Sequence, residues 1–252
     1  MAAENVHAIR REALTWKNVQ NAKAMAPSLA LFRSFWVVGY EGADHVNSLG
    51  QTLELNTTNG LWTQLSDDHS RLSAVGILTI QESIGWRAST TACSQIDLTP
   101  LRPRAEIAQA HGFPVTWTIH HYRPQRNADF FAPDFSERFV DFCAKVSQAS
   151  RGVCDGPAIY QPVNEISFLS WAVAHCNLIN SYDCRLGKSG YEFKCRLVAA
   201  TLPSCDAIWS HEPMARLFTP MPLSMWWLPG VRQHRRFRRP RRFTCINLGH
   251  GT

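Results

Sequence analysis

From about residue 35 onward, the chain alternates between two hydrophobic patterns. Short, nearly continuous apolar runs predict four buried β-strands, at Phe35–Gly39, Leu78–Ile84, Val115–Ile119 and Ile159–Val163. Apolar residues at helical spacing predict helices at about Ser66–Val75, Thr99–Gly112, Phe135–Val146 and Gly190–Trp209. Strands that are apolar throughout have both faces covered, as in parallel sheets flanked by helices. The pattern therefore predicts an α/β domain whose four strands are parallel neighbours in chain order.

Polar and aromatic side chains follow directly after these strands. They are Glu41 and Asp44 after the first strand, Gln81, Glu82 and Trp86 at the end of the second, His120 and His121 after the third, and Asn164 and Glu165 after the fourth. In a (β/α)8 barrel, the carboxyl ends of the strands build the active site. We therefore predict a site on one rim of a barrel. Because adjacent residues of a strand point to opposite sides, only one of the two histidines should face it.

Composition divides the chain into three parts. Residues 1–34 are polar and are interpreted as a leader, residues 35–212 as the barrel domain, and residues 213–252 as an irregular tail rich in Arg and Pro. Seven arginines and no acid lie within 231–242, and without them the net charge of +6 would be −1. Such runs often bind nucleic acid, but a solvated tail is the simpler interpretation, so no nucleic-acid partner is expected. The abrupt change also suggests a shifted reading frame, with a natural variable tail as the alternative.

Length and cysteine usage narrow the class of protein further. A chain of 252 residues suits one (β/α)8 barrel, or a smaller domain with extensions. The eight cysteines form no Cys-x-x-Cys pair and no zinc-finger spacing, so neither metal nor cofactor is expected, and a reducing compartment is indicated. The N-terminus has no signal-peptide pattern, and the apolar run Leu29–Phe32 is too short to span a membrane. We therefore expect a cytoplasmic protein with no membrane partner.

Three of the strand-end segments resemble motifs of the clan A glycoside hydrolases, and those of the family 1 β-glucosidase-like enzymes most closely. Thr118–Tyr122 (TIHHY) resembles the third-strand motif of that family, Asn164-Glu165 its fourth-strand Asn-Glu pair, and Ser83–Trp86 (SIGW) its second-strand Ser-Ile-x-Trp. The resemblance runs from about Phe35 to Trp209 and matches the N-terminal half of those enzymes. It implies an incomplete TIM barrel of about four to five β/α units.

The resemblance also implies a role for each matching residue. Glu165 would be the general acid/base, Asn164 would contact the sugar 2-hydroxyl, and His121 would contact the sugar in the first subsite. Trp86, Glu41 and Gln81 complete the predicted substrate-binding set. Gln81 is a departure, because the family has at this position an arginine that supports the nucleophile.

The second catalytic carboxylate is missing from the predicted site. A retaining glycosidase needs a nucleophile about 5–5.5 Å from the acid, and an inverting one needs a base at about 6.5–9.5 Å. In the family resembled, the nucleophile is a Glu at the end of strand seven, and here no Asp or Glu follows Glu212. Glu41, Asp44 and Glu82 are the other carboxylates expected near the rim.

The sequence thus predicts a β-glycosidase-like protein, of a lineage that hydrolyses O-glycosidic bonds, which is truncated and inactive. The alternative is a non-catalytic protein that binds carbohydrate, or that binds nucleic acid through its arginine tail. A carbohydrate is the expected partner. Half a barrel leaves unpaired strand edges, so self-association is also expected.

Overall fold

The computed structural model describes residues 32–34, 36–40, 42–125, 128–153, 156–174, 178–180 and 190–220. Glu41, most of the predicted leader and the arginine run of the predicted tail lie outside these residues. The elements are, in order, β1 (Val38–Gly39), β2 (Asp44–Asn47), β3 (Thr52–Glu54), α1 (Leu55–Thr58), α2 (Leu61–Ala74), β4 (Ile80–Ser83), α3 (Leu101–Ala110), β5 (Val115–His120), α4 (Phe135–Ser150), β6 (Ile159–Val163), α5 (Ile166–Ala174), β7 (Ile179–Asn180), α6 (Gly190–His211) and β8 (Arg216–Leu217).

The main sheet has five strands in the order β1-β4-β5-β6-β8, and all of its pairs are parallel. The predicted order of the first four strands is confirmed. Gly39 lets β1 approach β4 closely, because a Cβ at this position would lie 2.0 Å from the Gln81 carbonyl oxygen. A parallel sheet with a helix in each crossover is the incomplete TIM-barrel architecture predicted from the sequence.

Contacts with the sheet cross both predicted boundaries of the domain. Arg216 and Leu217 form β8 beside β6, so the first residues of the predicted tail belong to the fifth strand. At the other end, the Arg33 amide donates to Thr79 Oγ1 at 2.9 Å, and the Leu78 amide donates to Ser34 Oγ at 2.9 Å. These bonds attach the end of the predicted leader to the residues just before β4.

A small antiparallel sheet, in the order β3-β2-β7, was not predicted. Its strands have two to four residues each, too few for a hydrophobic period to show. Asn47 closes the β2–β3 turn, since its side-chain oxygen accepts the Leu49 amide at 3.0 Å and the Gln51 amide at 2.9 Å. The hairpin matters for the site because it places Asp44 against the end of β5, where the Asp44 amide donates to the His121 carbonyl at 3.4 Å.

Two helix starts illustrate what a capping signal can predict. Asp134 is the N-cap of α4, a residue type typical of that position, although its side chain makes no capping hydrogen bond. Helix α2 begins at Leu61 and not at Ser66, with Gly60 in the left-handed region as its N-cap. Leu61 and Leu65 are buried, and packing of this extra turn extends the helix ahead of the predicted start at Ser66.

The core lies between the sheet and its helices and is rich in aromatic residues. The ring of Trp86 stacks on Phe142 at 5.7 Å and lies 5.3 Å from Phe139, both on α4. All three side chains are fully buried or nearly so. Burying each ring fully contributes about 1.5–3 kcal/mol relative to exposure. This cluster fixes α4 against the sheet, and it thereby helps to hold the carboxyl ends of the strands in fixed positions.

Candidate active site

The carboxyl ends of β4, β5 and β6 lie level with one another. Backbone bonds continue the pairing to the last residues, from Ile84 N to Thr118 O at 2.8 Å and from Asn164 N to His120 O at 2.9 Å. The predicted convergence of polar side chains at this rim is therefore present. Ser83, His121, Asn164 and Glu165 are its central members.

The side chain of Asn164 makes hydrogen bonds through both its oxygen and its nitrogen. Its Oδ1 accepts a hydrogen bond from Gln161 Nε2, and its Nδ2 lies 2.9 Å from His121 Nε2 and 3.3 Å from Tyr122 Oη. Because an amide nitrogen can only donate, His121 Nε2 is an acceptor and its ring proton lies on Nδ1. That proton faces Ser83 Oγ at 2.9 Å. The contacts set both the tautomer of His121 and the direction in which its ring points.

Tyr122 and Glu165 form the part of the site with unusual backbone geometry. Tyr122 Oη donates to Glu165 Oε2 at 3.1 Å. Tyr122 has φ = 76° and Glu165 has φ = 43°, in the left-handed region that side chains other than glycine rarely adopt. Such conformations cost about 1–3 kcal/mol each and persist where the surroundings enforce them, often at functional sites. The strain marks this pair as a candidate functional centre.

Gln81 belongs to the same hydrogen-bonded group. Its Nε2 donates to Thr118 Oγ1 at 2.9 Å and to Gln161 Oε1 at 3.3 Å, and the Thr118 hydroxyl donates to Gln161 Oε1 at 3.2 Å. Thr118 and Gln161 were not in the predicted site. The signal that could have found them is a polar residue in the middle of a strand whose other residues predict full burial.

The two adjacent histidines have separate environments, as expected. His121 contacts Asn164 and Ser83, whereas the His120 ring packs 5.8 Å from both Phe130 and Phe139. Neither ring nitrogen of His120 has a hydrogen-bond partner in the described part of the chain. Complete burial lowers the pKa of His120 to about 3, so this ring is a neutral core residue.

Trp86 is not a sugar-stacking residue, and the prediction that it binds substrate is wrong. Its side chain has an exposed fraction of 0% and is enclosed by the aromatic rings of α4. The motif match located the segment correctly. It could not show that the loop after β4 turns this ring into the core.

Two of the carboxylates expected near the rim are held by arginines, and the partners of Glu82, Arg104 on α3 and His69 on α2, place it on the helix side of the sheet. Asp44 Oδ1 lies 3.2 Å from Arg123 Nη1, and its Oδ2 lies 3.2 Å from Arg87 Nε. Burial raises the pKa of Asp44, and the two guanidinium groups partly oppose this effect. Glu82 accepts a hydrogen bond from Arg104 Nε at 3.2 Å and is 2% exposed. Both carboxylates therefore have arginine partners.

Two further properties concern the described residues only. No group of three or more His, Cys, Asp or Glu side chains among them is arranged to hold a metal ion. Within the same ranges, no helix has the length and hydropathy that crossing a membrane requires.

Comparison with protein-family models and with curated proteins gives no match. Solved structures do match in fold. Fpglu1 from Fervidobacterium pennivoraus superimposes with a TM-score of 0.56 at 13% identity, over 76% of this chain and 53% of that one. The AHE enzyme from Alicyclobacillus herbarius gives a TM-score of 0.56 at 10% identity, over 64% of this chain and 37% of that one.

A β-glucosidase from Thermotoga maritima, solved with cyclophellitol, gives a TM-score of 0.52 at 10% identity, over 64% of this chain and 38% of that one. At identities of 10–13%, the match concerns the fold alone. The chain spans only 37–53% of the lengths of these three proteins. Its fold is that of an incomplete (β/α) TIM barrel.

Proposed function

We propose that this chain carries the acid/base half of a β-glycosidase site, with Glu165 as the acid/base residue. In this proposal it binds a β-linked carbohydrate and does not hydrolyse it unaided. The observation that carries the proposal is the cluster of His121, Asn164 and Glu165 at the carboxyl ends of β5 and β6. Such strand ends are where barrel enzymes place their active sites.

The side chains present suit a sugar. A sugar ring offers hydroxyl groups that both donate and accept, and a carboxylate, a carboxamide and an imidazole together supply both kinds of partner. Buried polar groups that already have fixed orientations lose little entropy on binding a ligand. Asn164 and His121 are such groups, since each is buried and hydrogen-bonded.

The absence of hydrolysis follows from the carboxylates. Asp44 and Glu82, the two other carboxylates of the described residues that were expected near the rim, are bound to arginines. No Asp or Glu follows Glu212 in the sequence. A single carboxylate cannot both protonate the leaving oxygen and attack the anomeric carbon. Membership of family 1, correspondence to the N-terminal half of its barrel, and the roles of Gln81 and Glu41 in binding belong to the same proposal.

Calorimetric titration with cellobiose, a β-linked glucose disaccharide, tests the binding. We expect saturable binding that is weakened roughly fivefold to tenfold by His121→Ala or Asn164→Ala, because each removes a buried, hydrogen-bonded side chain that holds the rim in place, at a cost of about 1 kcal/mol per hydrogen bond lost. The matched control is His211→Ala, a histidine at the end of α6 that contacts Gln148, far along the chain from the rim. Maltose, the α-linked isomer, should bind more weakly than cellobiose.

Two results would contradict the proposal. One is the absence of binding by the wild-type chain at millimolar cellobiose. The other is equal weakening by His211→Ala and by the two rim variants, which would indicate a general effect on the fold. Circular dichroism of each variant separates this second case from loss of folding.

A further inference from the structure

The side-chain hydrogen bonds that lead to Glu165 all run in the same direction. Six side chains form a path across β4, β5 and β6 in which each donates to the next, with side contacts from Gln81 to Gln161 and from Asn164 to His121. In order they are Gln81, Thr118, Gln161, Asn164, Tyr122 and Glu165. This path is called the relay below.

The direction of the relay is set from its Glu165 end. A carboxylate has no proton to give, so the single hydroxyl proton of Tyr122 points to Glu165 Oε2, at 3.1 Å. Tyr122 Oη must then accept from Asn164, which turns the nitrogen of that amide towards it, at 3.3 Å. The Asn164 oxygen consequently faces Gln161 and accepts from its nitrogen.

The same logic continues back to β4. Because the amide nitrogen of Gln161 donates to Asn164, the amide oxygen of Gln161 faces the Thr118 hydroxyl, which donates to it at 3.2 Å. The Thr118 oxygen accepts from Gln81 Nε2 at 2.9 Å. If any amide group in the relay rotated by 180°, a donor would therefore face a donor, or an acceptor would face an acceptor. Bonds aligned in this way polarise one another and strengthen the last donor of the series.

We infer that Tyr122 is the positioning residue of Glu165, and that the relay behind it fixes which carboxylate oxygen is offered to a ligand. Tyr122 occupies Oε2, and Oε1 makes no hydrogen bond to the described part of the chain. The positive φ angles of Tyr122 and Glu165 are independent support, because the backbone is strained at both ends of the terminal bond. The inference rests on the proposed function only in naming the ligand a sugar.

Carbon-13 NMR of protein labelled at the glutamate side-chain carboxyl carbon tests the positioning without any sugar. The Glu165 signal is the one that disappears in Glu165→Gln. Tyr122→Phe should shift this signal and leave that of Glu212 in place. The matched control is Tyr160→Phe, since Tyr160 Oη donates to Glu212 Oε2 at 2.7 Å, and this variant should shift the Glu212 signal alone.

Thr118 tests the relay as distinct from the single Tyr122–Glu165 contact. Thr118→Val keeps the shape and removes the hydroxyl, and we expect it to shift the Glu165 signal in the same direction as Tyr122→Phe, by less. Thr118→Ser keeps the hydroxyl and should restore the wild-type position. In cellobiose titrations, Tyr122→Phe should weaken binding roughly tenfold, as expected when a carboxylate loses its charge-assisted bond.

The outcomes separate the relay from the function. An unchanged Glu165 signal in Tyr122→Phe overturns the positioning role. Equal spectra for Thr118→Val and Thr118→Ser overturn the relay. If the signals respond as expected but the wild-type chain binds no cellobiose, the proposed function fails and the relay stands.

Discussion

The purified chain is expected to release no more nitrophenol from p-nitrophenyl β-glucoside than its Glu165→Gln variant does. The reason is the proposed lack of a second catalytic carboxylate, since Asp44 and Glu82 are bound to arginines and no acid lies between Glu212 and residue 252. Removal of one member of a catalytic group that acts as a unit costs on the order of 10⁶ in kcat. A rate reduced by this factor falls to the level of the control.

The assay needs protein with intact tertiary structure, which the near-ultraviolet circular dichroism of the buried Trp86 and Trp117 can report. A turnover clearly above that of Glu165→Gln, at equal protein concentration, would contradict the account. It would mean that a carboxylate outside the described residues, with Glu41 as the first candidate, reaches the anomeric carbon.

Arg104→Leu is expected to lower the free energy of unfolding by about 3–5 kcal/mol, because it leaves a buried carboxylate without its partner. Arg104 and Glu82 are 5% and 2% exposed, and their closest approach is 2.5 Å. The guanidinium also lies over the rings of Trp62 and Trp117, at 5.7 and 5.4 Å. On the other side of the carboxylate, His69 Nε2 lies 3.8 Å from Glu82 Oε1.

Helix α3 supplies the matched control two residues away. Arg102 pairs with Glu106 at 3.7 Å, with both side chains more than half exposed. Exposed pairs contribute about 0–1 kcal/mol, so Arg102→Leu should change little. Urea unfolding followed by tryptophan fluorescence measures both variants. Equal destabilisation by Arg102→Leu and Arg104→Leu would show that the Glu82–Arg104 pair is not the buried contact described here.

Much of the fold could be predicted from the hydrophobic pattern because packing and pattern agree. Val115–His120 and Ile159–Val163 are buried along their whole length, and most of their residues are apolar. The hairpin of β2 and β3 could not be predicted, because its short strands are held by a turn and by neighbours distant in sequence. Strand β8 has two residues and exists through its pairing with β6.

The candidate site was predictable in position more than in detail. Strand ends located His121, Asn164 and Glu165, since the end of a strand follows from where its apolar run stops. The sequence could not show which of the two histidines, His120 or His121, packs against the aromatic core. It also could not show that Trp86 is a core residue. The direction in which a loop carries a side chain depends on tertiary packing, which short motifs do not encode.

The central claim is that a β-glycoside binds with its anomeric carbon beside Glu165, and affinity labelling tests it most directly. In N-bromoacetyl-β-glucosylamine, the electrophilic carbon is attached through the anomeric nitrogen. A Glu165 oxygen can displace the bromide and form an ester. Peptide mapping by mass spectrometry would locate the adduct, with the exposed thiols of Cys93 and Cys195 as competing nucleophiles.

We predict an adduct on Glu165 that cellobiose suppresses, that maltose suppresses less, and that is absent from Glu165→Gln. Tyr122→Phe should slow its formation, because the carboxylate is then no longer positioned. Labelling confined to cysteines, at a rate that cellobiose does not change, would contradict the claim that this rim is a sugar site.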